Sequence, residues 1–184
     1  MSKTNILDNI ISNKSLCKKY TFQNYNLSTD NFNIFILLKN IKEQDEQYNP
    51  IVVYGKKGSG KTHLISAAAN NLLKSNEKII YLKINKFNEL CQEYEKKEID
   101  GESFHNIINK IKESDYIFFE DIENLSTSFF TSNTFFHLFN DLYNSNKKIV
   151  ITCIKEPDEL ENIEPRISCR LHWGLTWDLE KFND

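Results

Sequence analysis

The segment Gly55–Thr62 constrains the fold most, because its sequence, Gly-Lys-Lys-Gly-Ser-Gly-Lys-Thr, fits the pattern G-x-x-x-x-G-K-[ST]. Glycines at these positions let the backbone curl so that its N–H groups point at phosphate oxygens. A helix that begins at the lysine adds its positive end to the same site. The pattern therefore predicts a strand, a phosphate-binding loop and a helix in that order, with a nucleotide as the ligand.

The residues of this loop have separate predicted roles. Lys61 would neutralise charge on the β- and γ-phosphates, and the Thr62 hydroxyl would ligate Mg²⁺. We expect ATP or ADP as the ligand, with further contacts from the rest of the loop: Gly55, Lys56, Lys57, Gly58, Ser59 and Gly60. The alternative is a glycine-rich turn followed by a chance Lys-Thr pair. The apolar run before the loop and the alanine-rich segment after it favour the nucleotide site.

Apolar runs and helical spacing divide the chain into alternating elements. The runs predict five strands, at 51–54, 79–84, 116–119, 149–152 and 175–179. Helices are predicted at 30–41, 61–74, 85–112 with a break near 100–101, and 134–144. This alternation indicates the α/β class, with a parallel sheet covered by helices on both faces. We expect residues 1–19 to be a flexible arm with a short helix near 6–11, and residues 20–184 to be one domain.

Composition excludes several classes of protein. The 184 residues carry 23 basic and 26 acidic side chains, so a uniformly basic nucleic-acid coat is excluded, although a local basic patch is not. The four cysteines form no C-x-x-C pair, which argues against a zinc site or a disulfide framework. No sequence stretch reaches the roughly 18 apolar residues of a membrane span, and the N-terminus does not resemble a signal peptide. We expect a cytosolic protein with reduced thiols.

Two acidic residues, Glu120 and Asp121, follow the apolar run 116–119. In phosphate-loop proteins, a carboxylate at the tip of a neighbouring strand holds Mg²⁺, and a second one can orient the attacking water. We therefore predict Glu120 as a metal ligand beside Thr62, and Asp121 as a catalytic residue. The alternative is a strand that ends in acids by chance. Because such ATPases commonly place Asp first, and displaced carboxylates lose catalytic geometry, we expect weak turnover at most.

Arg166 and Arg170 are the two arginines of the chain, and they are spaced i, i+4. On a helix they would share one face. A planar guanidinium that is always charged suits a γ-phosphate, and an arginine supplied by a neighbouring subunit would distinguish ATP from ADP. The alternative is a surface salt bridge with Glu161 or Glu164.

Together these motifs resemble the AAA+ ATPase domain of the bacterial replication initiators, the DnaA family, from about residue 20 to residue 179. The similar stretches are 20–25, 48–55, 60–64, 135–140 and, most specifically, 166–175. The resemblance implies a P-loop NTPase three-layer sandwich with a five-stranded parallel sheet in the order 5-1-4-3-2. It also implies that Tyr20, Phe22, His63 and Arg166 contact nucleotide, and that Arg170 is the arginine finger.

The family implies a function and partners. The expected function is an ATP/ADP switch in the initiation of chromosomal replication or its regulation. The expected partners are the initiator DnaA, or a second copy through the Arg170 face. Single-stranded DNA is a weaker expectation, because residues 126–128 lack the basic side chains that the family uses there.

Three departures from the family leave alternatives open. The chain ends at Asp184, where the family continues into a helical lid and a duplex-DNA-binding domain, and Ile154 replaces a polar sensor residue. One alternative is a non-hydrolysing module that regulates the initiator, as the relative Hda does, although residues 1–19 contain no glutamine-led docking motif. The other is a protein similar to the AAA+ helicase loaders.

Overall fold

The computed structural model describes residues 13–179, which contain one sheet of five parallel strands. The strands are β1 (Ile51–Tyr54), β2 (Ile79–Lys83), β3 (Tyr116–Glu120), β4 (Lys148–Cys153) and β5 (Leu175–Asp178). Their order is β2-β3-β4-β1-β5, and every neighbouring pair is parallel. This is the order 5-1-4-3-2 counted from the other edge, so the predicted sheet is confirmed.

Six α-helices alternate with these strands in the described part of the chain. They are α1 (Phe32–Lys39), α2 (Lys61–Lys74), α3 (Ile84–Glu95), α4 (Gly101–Lys112), α5 (Phe129–Asn144) and α6 (Pro165–Leu171). The predicted break near residue 100 separates α3 from α4, where the Asp100 carboxylate accepts a 2.7 Å hydrogen bond from the Ser103 amide. In contrast, α5 begins at Phe129 rather than at the predicted Thr134, because Phe130 stacks on Tyr94 of α3.

Strands β1 to β4 are buried on both faces, which explains why they are mostly apolar runs, whereas the edge strand β5 is half-buried and of mixed sequence. Side chains alternate along each strand, so that Val52 and Phe119 face one core and Val53 and Phe118 face the other. The first core also contains side chains from α3, α4, α5 and α6, and the second contains side chains from α1 and α2. The three layers are therefore helices, sheet and helices, as predicted.

The start of the described chain differs from the expected arm. Asn13 accepts a 2.6 Å hydrogen bond from the Tyr81 amide and donates one to the Ile79 carbonyl, so it lies along the edge strand β2. Leu16 is only 7% exposed and belongs to the second core. Residues 13–19 therefore pack on the domain and are not a loose arm. The short helix predicted near residues 6–11 lies outside the described residues.

Because the strands are parallel, the connections that follow β1, β3 and β4 lie at the same end of the sheet. The phosphate loop follows β1, the acidic pair lies at the end of β3, and Ile154 follows β4. In open parallel sheets, ligands bind outside the carboxyl ends of the strands.

Across residues 13–179, no helix combines the length and apolar character needed to cross a membrane.

Candidate nucleotide-binding site

The loop after β1 has the backbone that its glycines predict. Gly55, Gly58 and Gly60 have φ values of 147°, 93° and 98°, in a region that favours glycine. Gly60 immediately precedes α2, and a Cβ atom on it would lie 3.4 Å from the Tyr25 ring. The loop therefore curls directly into the N-terminus of a 14-residue helix, where amide groups and the helix dipole favour an anion.

Lys61 is 7% exposed and its ammonium group lies over the loop. Its Nζ atom donates to the carbonyl oxygen of Gly55, to that of Lys56 at 2.8 Å and to the Ser59 hydroxyl at 3.4 Å. These contacts hold the positive charge beside the loop backbone that would surround a phosphate. The position suits the predicted role of Lys61.

Thr62 and Glu120, the two predicted metal ligands, are in direct contact. The Thr62 hydroxyl donates a 2.6 Å hydrogen bond to Glu120 Oε1. Glu120 is 1% exposed, and its Oε2 atom accepts a 3.0 Å hydrogen bond from the Tyr81 hydroxyl and lies 3.4 Å from Lys83 Nζ. A hydroxyl and a buried carboxylate are the hard oxygen ligands that Mg²⁺ prefers, so the pair fits this ion.

Asp121 lies at the end of β3, in a left-handed backbone conformation with φ 61°. Its amide donates a 3.0 Å hydrogen bond to the Thr152 hydroxyl of β4, which fixes its position between the two strands. Burial, and then the negative charge of Glu120, raise the pKa of the Asp121 carboxyl, against the opposing effect of nearby lysines. The catalytic role of Asp121 stays a prediction.

Lys61, Thr62, Glu120 and Asp121 line one cavity of about 660 Å³ at the carboxyl ends of the strands. Of the other predicted loop residues, Lys57, Gly58 and Gly60 line it, whereas Gly55, Lys56 and Ser59 do not. The volume of the cavity lies within the usual range of small-molecule sites. Three lysines, Lys57, Lys61 and Lys83, contribute positive charge, whereas the acidic side chains come from the end of β3 and the turn after it. Cations for phosphate oxygens and carboxylates for a metal ion therefore meet in one place.

Tyr20 and His63 also line this cavity, and their rings stack on each other. The ring centroids are 4.5 Å apart with an interplanar angle of 16°. The His63 Nε2 atom is 3.0 Å from both the Thr21 carbonyl oxygen and Asn24 Oδ1, so it ties the segment before α1 to the first turn of α2. An aromatic pair in the lining of the cavity suits a purine base, which can stack on an aromatic ring.

Phe22, in contrast, is not brought to this cavity. Its ring packs edge-on against Phe35 of α1, at 5.1 Å between centroids, and lines a separate cavity of about 330 Å³. The structure therefore separates Phe22 from Tyr20 and His63, the other aromatic residues predicted to contact the nucleotide, and gives it a packing role beside α1.

Neither arginine lines the cavity of its own chain. Arg166 Nε donates a 2.6 Å hydrogen bond to Glu164 Oε2, which is one of the salt bridges foreseen as the alternative. Arg170 Nε donates instead to Asn140 Oδ1 of α5, at 2.6 Å. The structure therefore does not bring either arginine together with the residues that line the cavity.

Sequence reasoning missed two charged residues of the cavity, Lys83 and Glu123. Lys83 is the first charged residue after the apolar run of β2, and that position was an available signal. Glu123 lies in a short 3-10 helix after β3, and its Oε2 atom is buried without a hydrogen-bond partner among the described residues. Burial raises the pKa of the Glu123 carboxyl.

Comparisons with known proteins agree with the fold and with the family that the motifs resemble. The family model of the bacterial DnaA ATPase domain matches residues 16–178. The chromosomal replication initiator protein DnaA of Aliarcobacter butzleri is 32% identical over 188 residues, which cover 97% of this chain and 41% of that protein. A solved structure of the replication initiator DnaA bound to AMPPCP and single-stranded DNA has a TM-score of 0.80 at 31% identity. It covers 89% of this chain and 50% of the solved one.

The structure of DnaI has a TM-score of 0.68 at 18% identity, a likeness that shows a shared fold alone. The chain spans half or less of the length of the two initiators described above. The family match, however, covers nearly all the described residues, including the phosphate loop, the acidic pair and the arginine helix. The chain belongs to the bacterial DnaA ATPase domain family.

Proposed function

We propose that this domain binds ATP or ADP together with Mg²⁺ and acts as a nucleotide switch in the initiation of chromosomal replication or in its regulation. The observation that carries the proposal is the contact between Thr62 and Glu120 in the cavity that also holds the Lys61 ammonium. The AMPPCP complex of a related initiator supports an adenine nucleotide as the ligand.

Each part of the cavity has a role in this proposal. Lys61 and Lys57 neutralise the phosphates, and the stacked rings of Tyr20 and His63 receive the base. Thr62 and Glu120 hold the ion. Mg²⁺ bound there supplies further neutralisation of phosphate charge.

The switch requires a group on another subunit that contacts the γ-phosphate, and Arg170 is the group that we propose. Because its guanidinium lies away from the chain's own cavity, it is available to a phosphate held by a second copy or by the initiator DnaA. A γ-phosphate adds negative charge that ADP lacks, so association would favour the triphosphate form. The proposed setting is the bacterial cytoplasm.

Sedimentation velocity of the purified chain tests this function. We expect association in Mg²⁺ and AMPPCP but not in Mg²⁺ and ADP, and we expect Arg170→Ala to abolish the difference while nucleotide still binds. Equal sedimentation of the wild-type chain in both nucleotides would contradict the proposal.

A second candidate, a non-hydrolysing regulator of the initiator, is favoured by Ile154. This side chain is 40% exposed and lines the cavity where β4 ends, but it has no group that can hydrogen-bond a water or a phosphate. Phosphate release from ATP distinguishes the candidates. Turnover that Asp121→Asn abolishes would argue against the regulator, and binding without turnover would favour it.

Two other proposals concern partners and have direct tests. A helicase-loader role rests on fold likeness alone, and capture of replicative helicase rather than initiator by the immobilised chain would favour it. Single-stranded DNA is named as a ligand of a related initiator, and fluorescence anisotropy with a labelled oligonucleotide would test it here.

A further inference from the structure

The guanidinium of Arg170 is held on several sides by side chains of α5 and of the turn after α6. Its Nε atom donates to Asn140 Oδ1 at 2.6 Å, and its Nη1 atom donates to the Arg166 carbonyl oxygen at 2.7 Å. Its Cζ atom lies 4.1 Å from the ring centroid of Phe136 and 5.0 Å from that of Trp173. The group is therefore fixed in direction by hydrogen bonds and in plane by aromatic rings.

The acceptors around Arg170 are uncharged, in contrast to those around Arg166. Arg166 pairs with the Glu164 carboxylate, which offsets its charge. Across residues 13–179, the Arg170 hydrogen bonds go to an amide oxygen and a backbone carbonyl, and no carboxylate pairs with it. These two bonds use two of the five N–H groups of a guanidinium. Arg170 therefore keeps its full charge and three N–H groups for an anionic partner.

The surroundings of Arg170 are themselves firmly placed. Trp173 packs against Tyr143 of α5, with ring centroids 4.8 Å apart. Asn140 and Phe136 are one turn apart on the same helix, whose inner face is buried in the first core. A long arginine side chain normally loses rotamer freedom when it binds, and a side chain that is already fixed loses less.

We propose that Asn140 and Phe136 are positioning residues that orient Arg170 toward the phosphates of a nucleotide held by a second copy of this chain. This inference rests on the proposed nucleotide switch. Neither residue lines the chain's own nucleotide cavity, so substitutions there leave that cavity unchanged. Asn140 accepts its hydrogen bond from Arg170, whereas the Phe136 ring contacts both Arg170 and Arg166, whose Cζ atom lies 4.4 Å from the ring centroid.

The test is the self-association constant in Mg²⁺ and AMPPCP, measured by sedimentation equilibrium. We expect Asn140→Ala and Phe136→Leu each to weaken association about tenfold, because a hydrogen bond to a charged group or a cation–π contact is lost together with the fixed orientation. Calorimetric titration should give an unchanged affinity for AMPPCP. Asn133→Ala is the matched control, since Asn133 also lies on α5 but accepts its hydrogen bond from Arg166.

Double variants separate positioning from a general structural role. If Asn140 acts through Arg170, adding Asn140→Ala to Arg170→Ala weakens association no further. An equal loss in both backgrounds would overturn the inference, as would unchanged or stronger association in the Asn140→Ala variant. If the wild-type chain does not associate, or Arg170→Ala associates normally, the proposed switch fails and the inference fails with it.

Discussion

The Thr62 hydroxyl donates a 2.6 Å hydrogen bond to the Glu120 carboxylate, across 58 positions of sequence. This bond joins the first turn of α2 to the end of β3. Tyr81 and Lys83 of β2 contact the other oxygen of the same carboxylate. Two potential metal ligands are therefore held together by three elements of the fold, beside the phosphate loop.

Removing either ligand should affect the Mg²⁺-dependent part of nucleotide binding. We expect Thr62→Val and Glu120→Gln each to reduce the affinity for AMPPCP about tenfold in Mg²⁺, the size of one lost interaction with a charged group. In EDTA, both variants should bind AMPPCP with nearly the affinity that the wild-type chain has in EDTA. Thr62→Ser keeps the hydroxyl and should bind as the wild type does in calorimetric titrations. An equal loss with and without Mg²⁺ would show that the pair does not hold the ion.

Tyr20 and Phe22 should differ in their effects, although the family resemblance places both at the nucleotide. Tyr20→Ala removes the ring stacked on His63, and we expect about tenfold weaker binding of both ATP and ADP. Phe22→Ala should leave the affinity unchanged but lower the free energy of unfolding, because Phe22 packs on Phe35. Fluorescence titration with a labelled nucleotide and urea denaturation measure the two effects. A loss of affinity in Phe22→Ala as large as that in Tyr20→Ala would contradict this assignment.

The raised pKa of Asp121 makes the stability of the nucleotide-free chain depend on pH. A carboxyl with a raised pKa binds its proton more tightly in the folded state, so ionised Asp121 destabilises the fold at neutral pH. Asp121→Asn should therefore raise the free energy of unfolding at pH 7. The gain should disappear as the pH falls through the raised pKa toward the ordinary value of 3.8. Asparagine also tolerates the left-handed backbone at this position.

Asp158→Asn is a control, because its effect on stability at pH 7 should have the opposite sign to that of Asp121→Asn. The Ser168 hydroxyl donates a 2.6 Å hydrogen bond to its carboxylate, and this bond lowers the pKa of Asp158. Asp158→Asn should therefore reduce stability at pH 7, with a difference that shrinks as the pH falls below 3.8. Urea denaturation at several pH values measures both variants, and changes of the same sign would contradict the two assignments.

Local signals predicted most of the fold, because β1 to β4 are short, mostly apolar runs buried on both faces. The ends of β1 and α2 agree with the prediction, since a glycine loop separates them. The path of residues 13–19 was not predictable in this way, because Asn13 binds an edge strand 68 positions away. Tertiary contacts also decide where α5 begins, through the stacking of Phe130 on Tyr94.

The residues of the candidate site also include some that local signals predicted and some that depend on tertiary contacts. The positions of Lys61, Thr62 and Glu120 were predictable, because a bound phosphate and its metal ion call for a lysine, a hydroxyl and a carboxylate at fixed offsets from a loop or a strand end. The positions of Phe22 and Arg166 depend on partners, Phe35 and Glu164, that no motif specifies. Glu123 was missed because a lone acid in a turn carries no sequence signal of burial.

Gly174 should tolerate no side chain. A Cβ atom there would lie 2.7 Å from the Asn49 carbonyl oxygen, and still closer to the Asn49 carbonyl carbon and the Pro50 oxygen. We expect Gly174→Ala to lower the free energy of unfolding by about 1–3 kcal/mol, since backbone atoms cannot give way easily. Gly101→Ala is the control, because its Cβ would meet only the Tyr94 ring at 3.9 Å. Thermal denaturation measures both, and equal midpoints for Gly174→Ala and the wild type would contradict the expected clash.

Calorimetric titration of the purified chain with ATP and with ADP, in Mg²⁺, tests the central claim most directly. The account predicts saturable binding of one nucleotide per chain, and loss of that binding in Lys61→Ala, whose ammonium group lies over the phosphate loop. A wild-type chain that binds neither nucleotide, or a Lys61→Ala variant that binds as tightly as the wild type, would contradict it.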